Sequence, residues 1–224
     1  MKKIYFLIPA VIIFAVTVSC ANSKSESKQQ PVSVSAPAQQ DLSKYSKAYF
    51  ASGCFWCVES VYESVKGVKE AVSGYAGGTE PNPTYEQVGS GSTGHAESVE
   101  VFYDSTEVSY QTLLKVYFGS QNPTQVRGQG PDNGKQYRSL IFYSNLTEKK
   151  EAEDYISQLN ASHLYKSAIA AQVVPFVKFW EAEGYHQNYV VNHPDENYVQ
   201  FESIPRIKKF QQKYPELIKA DHKF

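Results

Sequence analysis

At Gly53 the hydrophobic period of the chain changes from about 2 residues to about 3.6. Residues 47–52 (K-A-Y-F-A-S) read as a strand running into that glycine. From Cys54 to Val65 the apolar residues Val58, Val61, Tyr62 and Val65 recur at helical spacing. The pattern then continues in kind. Residues 68–75 look like a second strand ending in the glycines between 74 and 78, and residues 97–103 (E-S-V-E-V-F-Y) alternate as a half-buried strand should. Residues 110–118 suggest a helix, 137–143 a strand, and 147–159 a charged amphipathic helix. Residues 173–180 are apolar enough for a strand, with Pro175 marking an edge or bulge. Residues 186–191 read as a short helix followed by irregular chain. The order strand, helix, strand, strand, helix, strand is that of the split βαβ unit. The expected fold is α+β, a ferredoxin-like α/β sandwich with a mixed or antiparallel sheet in a single domain.

The folded part should begin near Tyr45. Before it, residues 1–20 have the form of a lipoprotein-type signal peptide. Lys2 and Lys3 precede an almost unbroken apolar run from 4 to 18, shorter than the ~20 residues of a spanning helix, and Ser19-Cys20 follows at once. Cys20 is the candidate lipidation site, although Thr17 stands where such signals usually carry Leu, and a simply cleaved signal or an uncleaved anchor remain the alternatives. Residues 21–44 read as a disordered tether of Ser, Lys, Gln, Pro and Ala, too poor in apolar surface to fold. The expected location is the bacterial cell envelope, periplasmic or otherwise extracytoplasmic, with a lipid anchor at the membrane. Residues 45–224 then form the functional domain.

Composition removes several function classes. Aromatic residues make up 14% of the 224, too many for a disordered chain. Twenty-two basic residues balance 23 acidic ones, so no global field draws nucleic acid, and no basic cluster interleaved with aromatics replaces it. Phosphate-binding and dinucleotide fingerprints are missing. Three cysteines, at 20, 54 and 57, are too few for an extracellular disulfide scaffold.

The chemistry concentrates in Gly53-Cys54-Phe55-Trp56-Cys57. A cysteine where a strand turns into a helix faces unpaired N–H groups and the positive end of the helix dipole, which should stabilise a thiolate and lower its pKa. Cys57, three residues on, lies on the same helical face, within the Cα separation of about 4.4–6.8 Å that a disulfide needs. The pair reads as nucleophile and resolving thiol. Three other readings stay open: a buried inert pair, a zinc site and a thioredoxin-like disulfide exchanger. Zinc wants four ligands, and His95, His186 and His193 have no suitable spacing. The bulky Phe55-Trp56 insert suits a pocket for a small apolar group better than a docking face for protein disulfides.

The stretch from about residue 49 to 194 resembles the A-type peptide methionine sulfoxide reductases. The resemblance is carried in order by Gly53-Cys54-Phe55-Trp56, Gly74-Tyr75-Ala76-Gly77-Gly78, Pro81-Asn82-Pro83-Thr84-Tyr85, Gly94-His95-Ala96-Glu97, Asp132-Asn133-Gly134-Lys135-Gln136-Tyr137-Arg138-Ser139 and His186-Gln187-Asn188-Tyr189. It implies Cys54 as nucleophile and Phe55 and Trp56 as walls around the sulfoxide methyl group. It implies Tyr85, Glu97 and Tyr137 as hydrogen-bonding groups for the sulfoxide oxygen, and Asp132 as a polar residue of the same pocket. It implies no metal or organic cofactor, the S epimer of methionine sulfoxide as substrate, free or in proteins, and a thioredoxin-like dithiol as reductant.

The chemistry fits. A sulfoxide oxygen leaves poorly unless protonated, and a carboxyl kept neutral by burial can supply the proton, which makes Glu97 the candidate acid. The sulfenic acid formed on Cys54 condenses with a second thiol. Many members have glycine after Phe-Trp and recycling cysteines near the C-terminus. Here Cys57 takes the glycine's place and no cysteine follows it, so a C-terminal tail offers no thiol. Each residue also has a plainer reading: Tyr85 and Tyr137 as ordinary tyrosines, Glu97 as an exposed carboxylate, Asp132-Asn133-Gly134 as a turn, and His95 as structural.

Overall fold

The computed structural model describes residues 41–224. The expected signal peptide, Cys20 and all but the last four residues of the expected tether lie outside them. Those four already form a turn, in which the Tyr45 N–H donates to the Leu42 carbonyl at 3.1 Å. Among the described residues no helix is long and apolar enough to cross a membrane.

Strand β1 (Ser46–Ala51) runs into α1 (Phe55–Glu63), and β2 (Val68–Ala76) returns. A short α2 (Tyr85–Gly89), closed by a Thr84/Gln87 capping box, leads to β3 (Ala96–Tyr103) and α3 (Tyr110–Gly119). The two-residue strands β4 (Gly128–Gln129) and β5 (Asp132–Asn133) pair with each other. After them come β6 (Leu140–Tyr143), α4 (Leu146–Ala161), β7 (Gln172–Pro175), β8 (Phe179–Glu181), α5 (Tyr189–Asn192) and α6 (Ile204–Lys213). The main sheet has the order β7-β6-β1-β3-β2-β8. Only the β6–β7 pair is parallel, so the sheet is mixed and the described chain forms one α+β domain.

β1 is central because both its faces are apolar. Ala48 and Phe50 face the helices, with Phe50 stacked on Tyr62 of α1 at 5.1 Å and tilted against Tyr117 of α3 at 5.5 Å. Tyr49 and Ala51 face the opposite side, with Leu140, Phe142 and Phe176. The helical spacing in α1 places Val58, Val61 and Tyr62 in the core, with Val65 just past its end, each at most 3% exposed. Burial of one such side chain contributes about 1.5–3 kcal/mol.

Three expectations need correction. The strand expected over residues 137–143 begins only at Leu140, and Tyr137 belongs to a 3₁₀ turn, Lys135–Tyr137. The apolar run 173–180 is two strands at opposite edges of the sheet, parted after Pro175, which cannot extend a ladder on its own N–H side. The chain after residue 191 is not irregular. A π turn, Val199–Ser203, continues directly into α6, whose Ile207 and Phe210 are fully buried. Its spacing was hidden by Pro205, which sits in the first turn of α6, where no N–H is missed.

Candidate active site

The β1–α1 junction creates the site. Gly53 has φ +71°, and a Cβ there would meet the Gln129 Cβ at 2.6 Å, so the turn needs glycine. Its N–H donates to the Tyr137 carbonyl at 3.1 Å, which ties the 135–137 turn to the junction. Cys54 is the N-cap residue of α1 and Cys57 lies in its first turn, and both are buried free thiols.

Two carboxyls occupy the helix start. The Phe55 N–H donates to Glu97 Oε2 at 3.0 Å, and Asp132 brings a second negative charge to bear on Cys54. Glu97 is 2% exposed, so the reading of it as an exposed carboxylate fails. Burial pushes its pKa up to about 8, and the charges of Asp132 and Cys57 add to the effect. At neutral pH it is therefore mainly a neutral acid. Burial also raises Asp132, although its hydroxyl donor Tyr198, at 2.6 Å, works the other way.

This arrangement corrects the expectation for Cys54. Its pKa is raised, not lowered. Burial is the largest cause, followed by the hydrogen bond with Cys57 and the negative charges of Cys57, Glu97 and Asp132. The Phe55 N–H, which should have favoured its thiolate, already points at the Glu97 carboxyl. Cys57 holds the easier proton to lose, with its pKa lowered to about 7. The hydrogen bond with Cys54 is the first cause, and Arg206 and Ser203 assist against burial. Of the two thiols Cys57 gives up its proton more readily than Cys54.

Phe55 and Trp56 form an aromatic box with residues the sequence reading left unassigned. Trp56 stacks on Tyr189 at 3.7 Å and 7°, and its Nε1–H donates to His186 Nδ1 at 3.1 Å. The His186 ring lies 5.0 Å from Phe55 and 4.4 Å from Tyr85. Tyr85 itself lies 6.3 Å from Phe55. The one signal for Tyr189 and His186 was the 186–189 motif. Tyr198 had none. Among the described residues neither the Tyr85 nor the Tyr137 hydroxyl has a hydrogen-bond partner, and both feel the charges of Glu97 and Cys54. All eight expected site residues thus gather around the first turn of α1.

The histidines are held apart. His95 accepts from the Gly78 N–H through Nδ1 at 3.2 Å and bonds the Glu80 carbonyl through Nε2 at 2.8 Å, a structural role. His193 bonds the Tyr189 carbonyl of its own turn. Among the described residues no group of three or more His, Cys, Asp or Glu could hold a metal ion.

Comparison with known proteins agrees with this geometry. The peptide methionine sulfoxide reductase family model matches residues 46–218. The chain is 46% identical to peptide methionine sulfoxide reductase MsrA 2 of Synechocystis, over 78% of this chain and 82% of that one. It is 43% identical to peptide methionine sulfoxide reductase MsrA of Pasteurella multocida, over 77% of this chain and 98% of that one. Among solved structures, reduced Mxr1 of Saccharomyces cerevisiae superposes with TM-score 0.63 at 30% identity, covering 70% of this chain and 91% of that one. The methionine sulfoxide reductase A of Corynebacterium diphtheriae gives TM-score 0.59 at 33% identity, covering 66% of this chain and 74% of that one. A buried cysteine pair beside a neutral acid, walled by aromatics, suits the chemistry those relatives are named for, and the chain belongs to the peptide methionine sulfoxide reductase family, an oxidoreductase that returns methionine sulfoxide to methionine.

Proposed function

We propose that Cys54 attacks the sulfoxide sulfur while Glu97 protonates the departing oxygen. Phe55 and Trp56 hold the methyl group, and the free hydroxyls of Tyr85 and Tyr137 hold the oxygen. Asp132, held by the Tyr198 hydroxyl at 2.6 Å, serves as a polar residue of the same pocket. The attack requires the proton shared by the two thiols to move from Cys54 to Cys57 as substrate binds. The products are methionine and a Cys54 sulfenic acid, which Cys57 resolves to a disulfide that an external thioredoxin-like dithiol reduces. The observation that carries this reading is the Glu97 carboxyl, 2% exposed and held neutral at the N-terminus of the helix that Cys54 caps.

The resemblance to A-type enzymes supports the S epimer as substrate, free or within proteins. The antiparallel order β6-β1-β3-β2, with α1 and α3 on the crossovers, supports the ferredoxin-like description of the sheet's centre. The lysine-led apolar run ending at Ser19-Cys20 supports a lipid anchor at the bacterial cell envelope.

The test is turnover of free and peptide-bound methionine-S-sulfoxide with dithiothreitol, comparing the native chain with Cys54→Ser. The variant should fold and lose activity by orders of magnitude. Residual activity above about a tenth of the native rate would remove Cys54 as the nucleophile.

A further inference from the structure

Cys57 lines a cavity of about 470 Å³ that Cys54, Phe55, Trp56, Tyr85 and Glu97 do not line. The C-terminal helical segment brings two groups to this side. Ser203 is wholly buried, and the Cys57 thiol donates to its Oγ at 3.2 Å. Ser203 is the last residue of the π turn Val199–Ser203. Because that turn runs straight into α6, the hydroxyl makes no capping bond and is left for the sulfur. A π turn within a helix displaces residues from the ordinary register and frequently marks a functional site.

Three residues on, Arg206 is pinned by Nε to the Ser120 carbonyl at 2.8 Å, Nη1 to the Ser52 carbonyl at 3.0 Å and Nη2 to Ser52 Oγ at 3.1 Å. Nη1 stands 3.6 Å from where a Gly53 Cβ would be, and the side chain lines the same cavity as Cys57. A cation fixed in this way needs no reorganisation when charge develops next to it.

We propose that the Ser203 hydroxyl and the Arg206 guanidinium hold Cys57 as the thiolate that attacks the Cys54 sulfenic acid. This rests on the reading of Cys57 as the resolving thiol. When Cys57 is ionised, the Ser203 O–H turns from acceptor to donor. The groups facing Cys57 are Cys54 at the β1–α1 junction, Glu97 on β3, Asp132 on β5, Tyr198 ahead of the π turn, and Arg206 on α6. Of these only Arg206 is positive, and its charge lowers the Cys57 pKa, as does the Ser203 hydrogen bond. In the step itself the Cys57 sulfur bonds to the Cys54 sulfur and the Cys54 S–O bond breaks. The oxygen takes up a solvent proton and leaves as water, balancing the proton Cys57 gave up. The sulfoxide has already supplied the oxidising equivalent. The same two groups favour charge on Cys57 over Cys54 in the resting protein, so they serve the second step and not the first.

The experiment is a single turnover of the reduced protein with methionine sulfoxide from pH 6 to 9, following methionine release and Cys54–Cys57 disulfide formation separately. Ser203→Ala should not slow methionine release and should slow disulfide formation at pH 7 on the order of tenfold, the value of one hydrogen bond to a charged group. Its pH midpoint should move up by about one unit. Ser203→Thr should restore the native profile. Arg206→Met, checked for folding by thermal melting, should move the midpoint the same way. An unchanged disulfide-formation profile in folded Ser203→Ala overturns the inference. Cys57→Ser tells the two failures apart: if it still cycles like the native protein with a dithiol protein as reductant, the resolving thiol is not Cys57 and the underlying reading falls. If it stops after one methionine while Ser203→Ala keeps the native profile, only the role of Ser203 and Arg206 falls.

Discussion

Replacing Glu97 by Gln isolates one property of the site, the transferable proton. The amide keeps an oxygen for the Phe55 N–H, now met at 3.0 Å, and can still hydrogen-bond a sulfoxide oxygen, but it cannot protonate it. With a pKa of about 8, the native carboxyl is roughly nine-tenths protonated at pH 7 and one-tenth at pH 9. The acid-dependent rate should therefore fall about tenfold across that interval, less whatever the growing Cys54 thiolate fraction returns. Loss of a positioned general acid costs about 10²–10⁴ in rate. Glu97→Gln should fall within that range at pH 7 and lose the alkaline limb assigned to the acid. The fold should be retained, because burying an amide is easier than burying an ionisable carboxyl. The assay is rapid-quench measurement of methionine in the first turnover, from pH 6 to 9, with melting as the folding control. A pH 7 rate within threefold of native, or a native-shaped alkaline limb in the variant, would refute Glu97 as the acid.

Stability should fall as pH rises from about 4.5 to 7, because burial raises Glu59 and Glu63 to about 7 and Glu97 to about 8, so the folded state holds more protons there than the unfolded one. The loss is on the order of 3 kcal/mol for each of Glu59 and Glu63, and denaturant midpoints equal at pH 5 and pH 8 would contradict it. Gly74→Ala should destabilise by about 2–3 kcal/mol, since its Cβ would lie 2.3 Å from the Trp180 carbonyl oxygen across the β2–β8 pairing; an unchanged melting temperature would show that β8 yields freely. Cys20→Ala should move the protein from the membrane fraction or block its processing, and fractionation with acyl labelling decides it, unlabelled membrane retention of the native chain favouring a signal anchor.

What the sequence made legible was local. The strand-to-helix switch at Gly53, the alternation of β3 and the helical spacing of α1 and α3 each declare themselves within a dozen residues, and the structure has those elements at nearly those bounds. The run 173–180 misled because apolar content does not reveal that a chain leaves one sheet edge and joins the other. At that crossing Phe176 stacks at 3.7 Å on Tyr49, a residue more than a hundred positions away in sequence. Tyr137 was expected in a strand, yet its carbonyl is needed by the Gly53 N–H, a contact with no local trace.

The site divides along the same line. Cys54, Phe55, Trp56 and Cys57 are neighbours in sequence, so their convergence was certain once α1 was recognised, whereas Glu97, Tyr85, Asp132 and Tyr137 were reached only through a resemblance. The inversion of the thiol pKa order was beyond either route. Helix-terminus reasoning treats the first N–H groups as free, and here β3 delivers Glu97 to one of them while β5 brings the Asp132 charge to the thiol. The order of the pair then follows first from the hydrogen bond between the two thiols, with help from Arg206 and Ser203. Both of these stand on the C-terminal helical segment, which the sequence pattern does not reveal. A nucleophile at the end of a helix therefore cannot be ranked against its neighbour from the helix alone. The ranking is set by the groups that tertiary structure brings to the same turn, and in this chain they hold the Cys54 pKa up and the Cys57 pKa down.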